Sequence, residues 1–206
     1  MNLVIVDCGI GNIRSVQRMF EAVGGSAEVI ADPSAAMHCD RLVLPGVGAF
    51  DAGMEALNKN GWCDVLNHIA LERRVPLLGI CLGMQLLCRR SEEGSLPGLG
   101  WIDADVVSFD SSILKNLKIP HMGWNTVRPV QENPLIPMGQ TEQRFYHVHK
   151  YHATCDKNES VLATSHYGID FTTAICHKNI FGVQFHPEKS HRFGMALMRR
   201  FLEIPC

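Results

Sequence analysis

The chain has 206 residues, 46 % of them hydrophobic and 19 % charged, with a formal net charge of −2 at pH 7 when His is neutral. That length supports one well-buried α/β domain over residues 1–206 and is short for two. The near-neutral balance, with no basic run longer than Arg73-Arg74, argues against nucleic acid or an anionic membrane as partner.

The N-terminal MNLVIVDCG has no basic stretch ahead of its apolar run, which Asp7 ends, and no apolar run approaches the roughly 20 residues of a membrane-spanning helix. A cytoplasmic location is therefore expected. The eight cysteines form no CxxC pair and are expected to be reduced, most of them as small core residues. In chain order, the short apolar runs LVIV (3–6), AEVI (27–30), LVL (42–44) and PLLGI (76–80) read as strands. Between them Ile13, Val16, Met19, Phe20 and Val23, then Met54 and Leu57, then Val65, Leu66 and Ile69 keep helical spacing. Strand-like segments follow at 101–109, 122–130, 143–149, 160–166, 169–176 and 180–186, and a last helix from about Arg192 to Leu202. The pattern predicts a flavodoxin-like three-layer α/β sandwich, its sheet mostly parallel and extended in the second half by antiparallel strands.

The chemistry concentrates in three stretches. Gly79-Ile80-Cys81-Leu82-Gly83 has the form of a nucleophile elbow, in which glycines let a strand turn sharply into a helix with the central side chain exposed and strained. A thiol at the start of that helix is favoured as thiolate by the dipole and the free N–H groups. In FGVQFHPEKS (181–190), Phe181, Val183 and Phe185 alternate with Gly182, Gln184 and His186, which predicts a half-buried strand with His186 at its end. Pro187 keeps the chain extended there. Glu188, two residues on, can accept the second imidazole N–H, so that Cys81, His186 and Glu188 form nucleophile, base and orienting acid. Each stretch has a plain structural reading when taken alone. In LPGVGAF (44–50), glycines after a strand permit a backbone N–H to face a ligand, an oxyanion-hole candidate. Gln85, one helical turn after Cys81, lies on the same helix face and places its amide beside the reaction.

Taken together these stretches resemble the class I glutamine amidotransferases. DCGIGNI (7–13), LPGVGAFD (44–51), GICLGMQLL (79–87), IPHMGWN (119–125), FYHVHKYH (145–152) and GVQFHPEKS (182–190) are similar to the glutaminase subunits of imidazole glycerol phosphate synthases within that family. The resemblance runs over nearly the whole chain. It implies that Cys81 attacks the side-chain carboxamide of L-glutamine to form a γ-glutamyl thioester, with His186 as proton carrier and Glu188 behind it. It implies an oxyanion hole from the N–H groups of Leu82 and, after a peptide rearrangement at Gly46-Val47, of Val47. Substrate would be held by Gly48, Gln85, a glutamate of Ser91-Glu92-Glu93, of which Glu93 fits the spacing better, and the backbone at Lys150-Tyr151. The implied partner is a (β/α)8 barrel synthase that receives the ammonia, docked through Asn12, Trp124, Asn125, Tyr146 and Lys189. No cofactor is implied.

Two positions depart from the family pattern, Cys8 where an aromatic residue is usual and Lys150 where a small hydroxyl residue is common. The tail Lys189-Ser190-His191-Arg192-Phe193-Gly194-Met195 also looks like a branch of these subunits associated with surface-polysaccharide gene sets, in which the ammonia goes to a nucleotide-sugar amidating synthetase. His147-x-His149 with His152 offers imidazoles on one strand, but no Cys or carboxylate stands at ligand spacing beside them, and no metal site is expected.

Overall fold

The apolar runs of the first half become parallel strands. In the computed structural model, which describes residues 1–110, 112, 117–139 and 142–205, these are β1 (Leu3–Val6), β2 (Ala27–Ile30), β3 (Arg41–Gly46) and β4 (Leu77–Cys81). All residues of β1, β3 and β4 are buried, as strands covered by helices on both faces must be. On one face lie α1 (Ile13–Ala22) and α5 (His191–Glu203), whose Phe20 and Phe201 rings meet at 6.2 Å between centroids. On the other lie α2 (Phe50–Lys59), α3 (Trp62–Asn67, continued by a π-helical turn to Glu72) and α4 (Leu82–Leu86), packed on a core that includes Leu42, Leu44, Leu57 and Trp62.

The second half adds β5 (Arg90–Ser91), β6 (Ala104–Ser108), β7 (His121–Pro129), β8 (Gln143–His149), β9 (Tyr151–Cys155), β10 (Val161–Tyr167), β11 (Ile169–His177) and β12 (Ile180–Val183). The sheet runs β2-β1-β3-β4-β12-β11-β10-β7-β8, with β5, β6 and β9 as a side branch. From β2 to β12 the pairing is parallel and from β12 to β8 antiparallel, so the sheet is mixed and its antiparallel share is larger than expected.

Three local expectations are corrected. The segment 101–109 is a strand only from Ala104, and Tyr151–Cys155 is a strand that the pattern did not announce. The last strand ends at Val183 rather than 186, and it is not half-buried: Phe181 through His186 are all buried, because β12 pairs with β4 on one side and β11 on the other beneath two helical layers. The seven described cysteines are all free. Among the described residues no helix is long and apolar enough to cross a membrane.

Candidate active site

The carboxyl ends of parallel strands are where α/β sheets present ligand sites, and here β3, β4 and β12 end together. The register that pairs Gly46 with Cys81 brings the two glycine-rich loops side by side. Cys81 has φ 55° and ψ −109°, a conformation that L side chains rarely adopt, and directly precedes α4. The flanking glycines are there for space: a Cβ on Gly83 would stand 1.8 Å from the Leu44 carbonyl oxygen, and one on Gly79 would stand 2.8 Å from the Gly83 backbone. Only bare backbone lets α4 sit this close to β3 and β4. With five residues α4 carries little macrodipole, so the N–H groups of its first turn matter more than the expected dipole.

His186 Nδ1 lies 2.8 Å from Glu188 Oε1, with both side chains only 2 % exposed. That bond puts the Nδ1 proton on the carboxylate side and leaves Nε2 for the thiol. No hydrogen bond of ordinary geometry reaches Nε2, yet the sulfur is near enough to act on the ring. Burial works against an imidazolium, but hydrogen bonding and charge from Cys81 and Glu188 outweigh it and raise the His186 pKa to about 9. Elsewhere burial raises thiols: desolvation pushes the buried Cys39 up to about 11 and the half-buried Cys155 up to about 12.

Around the pair opens a cavity of about 470 Å³ lined by Val47, Gly48, Cys81, Leu82, Gln85, Glu93, Pro120, Val148, His149, Lys150, Tyr151, His186 and Lys189. The expected site residues are thus gathered, except that Gly46 lies behind the wall as the last residue of β3 and Glu188 behind His186. Positive φ, +110°, falls on Gly48, whereas Gly46 is constrained by space, since a Cβ there would meet Gly83 N at 2.9 Å. The two glutamates separate cleanly. Glu93 accepts the Phe50 N–H at 2.9 Å and faces the cavity, while Glu92 turns away to bind Ser108 N and Oγ. A wider hollow of about 670 Å³, lined by His152, Cys155 and Asp170 among others, lies elsewhere and contains neither Cys81 nor His186.

Of the expected docking residues, Trp124 and Asn125 stand on β7 and Tyr146 opposite Trp124 on β8. Trp124 is 39 % exposed, packed edge-on to Tyr146 and stacked on His191, with Lys189 Nζ 5.8 Å above the Tyr146 ring. Asn12 precedes α1, apart from the cavity lining.

Sequence reasoning missed two features. Gln184, fully buried, lies against both Gln85 and Cys81. The imidazole that joins His147 and His149 is His121, across the β7–β8 ladder, not His152. Their nitrogens could hold a metal by distance alone, all within 4.8 Å, so the hydrogen bonds decide what the cluster is. His149 donates from Nδ1 to the Tyr151 carbonyl at 2.8 Å, leaving Nε2 as acceptor. Asn125 accepts from Thr126 N and donates to His166 O, which turns its amide N–H toward His121 Nε2 at 3.2 Å. His121 Nδ1 must then carry a proton and donate it to His149 Nε2 at 3.0 Å, and His147 Nδ1 lies 3.2 Å from that same nitrogen. The His121 proton that points into the cluster makes it a hydrogen-bonded knot.

The sequence profile described as glutamine amidotransferase class-I matches residues 4–204. The chain is a class-I glutamine amidotransferase. The amidotransferase is 46 % identical over 202 residues to the imidazole glycerol phosphate synthase subunit HisH 2 of Pseudomonas aeruginosa, with 98 % of this chain and 99 % of the relative covered. It is 46 % identical over 201 residues to the subunit of the same name from Methanococcus maripaludis, with 98 % of each covered. Among solved structures, the amidotransferase resembles one described as a glutamine amidotransferase, with a TM-score of 0.73, 18 % identity and 97 % of each chain covered. PurLQS from Thermotoga maritima gives 0.71 at 16 % identity over 98 % of this chain and 97 % of that one. At such identities these two establish the shared fold.

Proposed function

We propose that this chain is the glutaminase subunit of an imidazole glycerol phosphate synthase, hydrolysing L-glutamine and passing the ammonia to a (β/α)8 barrel partner. The observation that carries the reading is the strained Cys81 beside a buried His186–Glu188 pair in one cavity with Gln85 and Glu93. The Cys81 thiolate attacks the side-chain carbonyl carbon, and the oxyanion is held by the N–H groups of Leu82 and, after the Gly46-Val47 peptide rearranges, Val47. His186 gives its proton to the departing amine, so ammonia leaves and a thioester remains. His186 then takes a proton from water, hydroxide adds to the thioester carbon, the C–S bond breaks, and glutamate departs. Gly48, Gln85 and Glu93 grip the glutamine, and the Lys150-Tyr151 backbone contacts its α-carboxylate end. Asn12, Trp124, Asn125, Tyr146 and Lys189 form the docking face.

A second reading keeps the same chemistry with another acceptor, a nucleotide sugar amidated by a separate synthetase. It is favoured by the 189–195 tail. The test assays glutamine turnover with an imidazole glycerol phosphate synthase barrel and its nucleotide substrate. Stimulated turnover that Cys81→Ala abolishes, with partner binding intact, supports the first reading. Silence there, with turnover beside a sugar-amidating synthetase, selects the second.

A further inference from the structure

Two buried amides, of Gln85 and Gln184, lie in line behind Cys81. A single backbone carbonyl orients both. The Tyr151 carbonyl oxygen can only accept, so the Gln85 atom 3.4 Å from it is Nε2. The same Nε2 lies 3.1 Å from the Gln184 side chain, whose facing atom is therefore the acceptor Oε1. That turns the Gln184 Nε2–H₂ group toward the Cys81 sulfur, 3.9 Å away. Both protons of the Gln85 amide are used inside the protein, and its own oxygen is left for the cavity that it lines.

We propose that Gln184 is a positioning residue of the glutaminase reaction: it holds the Gln85 amide with its oxygen toward the substrate's ammonium group and directs a weak N–H donor at the attacking sulfur. This deepens the glutaminase reading above and rests on it. Gln184 is suited to the task because it has no freedom, being fully buried with its backbone N–H bound to Thr173 O at 2.9 Å. Without it, the Gln85 amide loses one of its two acceptors and can rotate to present nitrogen to a cationic group, which repels rather than binds.

The experiment is a double-mutant cycle with two readouts in the full chain, assayed with its stimulating partner for turnover. Gln184→Leu should raise KM for glutamine about tenfold, equal to about 1.4 kcal/mol, and change KM less than twofold when Gln85→Ala is already present. The second readout is the rate of iodoacetamide alkylation of the Cys81 peptide against pH, followed by mass spectrometry. Its midpoint should move up in Gln184→Leu, since a donor to the thiolate is lost, whereas a purely structural role leaves it in place. Additive KM effects together with an unmoved alkylation midpoint would overturn the proposal. If the wild-type chain hydrolyses no glutamine, the glutaminase reading has failed, and the alkylation midpoint still decides whether Gln184 acts on the sulfur.

Discussion

Acidification from pH 7 to pH 5 should unfold this protein largely through three histidines. His121, His147 and His149 are 3 %, 0 % and 6 % exposed, and burial holds His121 down to about 4, His149 down to about 3 and His147 well below its ordinary value. The sign follows from linkage: in the unfolded chain each imidazole titrates near 6.5, so below that pH the unfolded state binds protons that the folded state refuses. The stability is intact above about 6.5 and is lost as pH falls toward 4. For one such histidine the loss between pH 7 and pH 5 is about 2 kcal/mol, and for the trio about 6. His186 works the other way, because its pKa is raised to about 9, and returns about 1 kcal/mol over the same interval. A net loss of about 5 kcal/mol is comparable to the whole stability of many domains. Urea unfolding at the two pH values measures it. The control is His147→Phe, a ring accommodated beside Phe185 and Phe171 at centroid distances of 5.7 and 6.0 Å that also removes the unpartnered His147 Nε2. This variant should lose about 2 kcal/mol less than the wild type between pH 7 and pH 5, with His152 and the arginine-paired carboxylates common to both proteins. Equal losses in the two proteins would refute the reasoning.

The catalytic pair gives two more expectations. His186→Asn should lower turnover about 100-fold or more, and Glu188→Gln less, because one moves protons and the other orients the ring; steady-state kinetics with equal, small losses would make the pair a bystander. Activity should fall as His186 loses its proton above about pH 9, and Glu188→Gln should bring that limb down toward neutrality, since the carboxylate is among the groups that raise it. In Gly46→Ala the new Cβ meets Gly83 N at 2.9 Å and Leu82 Cβ at 3.0 Å, so α4 must shift. Both the melting temperature, by several degrees, and turnover should drop, and an unchanged melting curve would contradict the packing argument.

What could be read from the amino-acid order was what neighbours along the chain determine. The elbow at Cys81 needs glycines two residues to either side, and the parallel strands are unbroken apolar runs, so both were legible. The histidine knot was not, because His121 meets His149 only through the β7–β8 register, which no local pattern encodes. Gln184 sits in an ordinary alternating strand pattern, and its place behind Cys81 comes only from β12 lying beside β4. The strand at Tyr151–Cys155 went unread because Lys150 alone separates it from β8, yet the chain changes partners there, from β7 to β6 and β11. Choosing between Glu92 and Glu93 required knowing that one points at Ser108 and the other at the start of α2.

The isolated bridge between Tyr146 and His186 ties the proposed base into the frame of strands β7 and β8. Tyr146 O accepts the His186 N–H at 2.9 Å, Tyr146 N donates to Ser190 Oγ at 3.0 Å, and that hydroxyl donates to His186 O at 2.6 Å. Three short bonds form a clamp with little slack, and the Tyr146 ring at one jaw sits between Trp124 and Lys189 on the face where a partner would rest. Strand β8 then behaves as a tuning arm: whatever steadies or tilts it sets the aim of the base at the sulfur, where a misplacement of about 1 Å can cost about two orders of magnitude in rate.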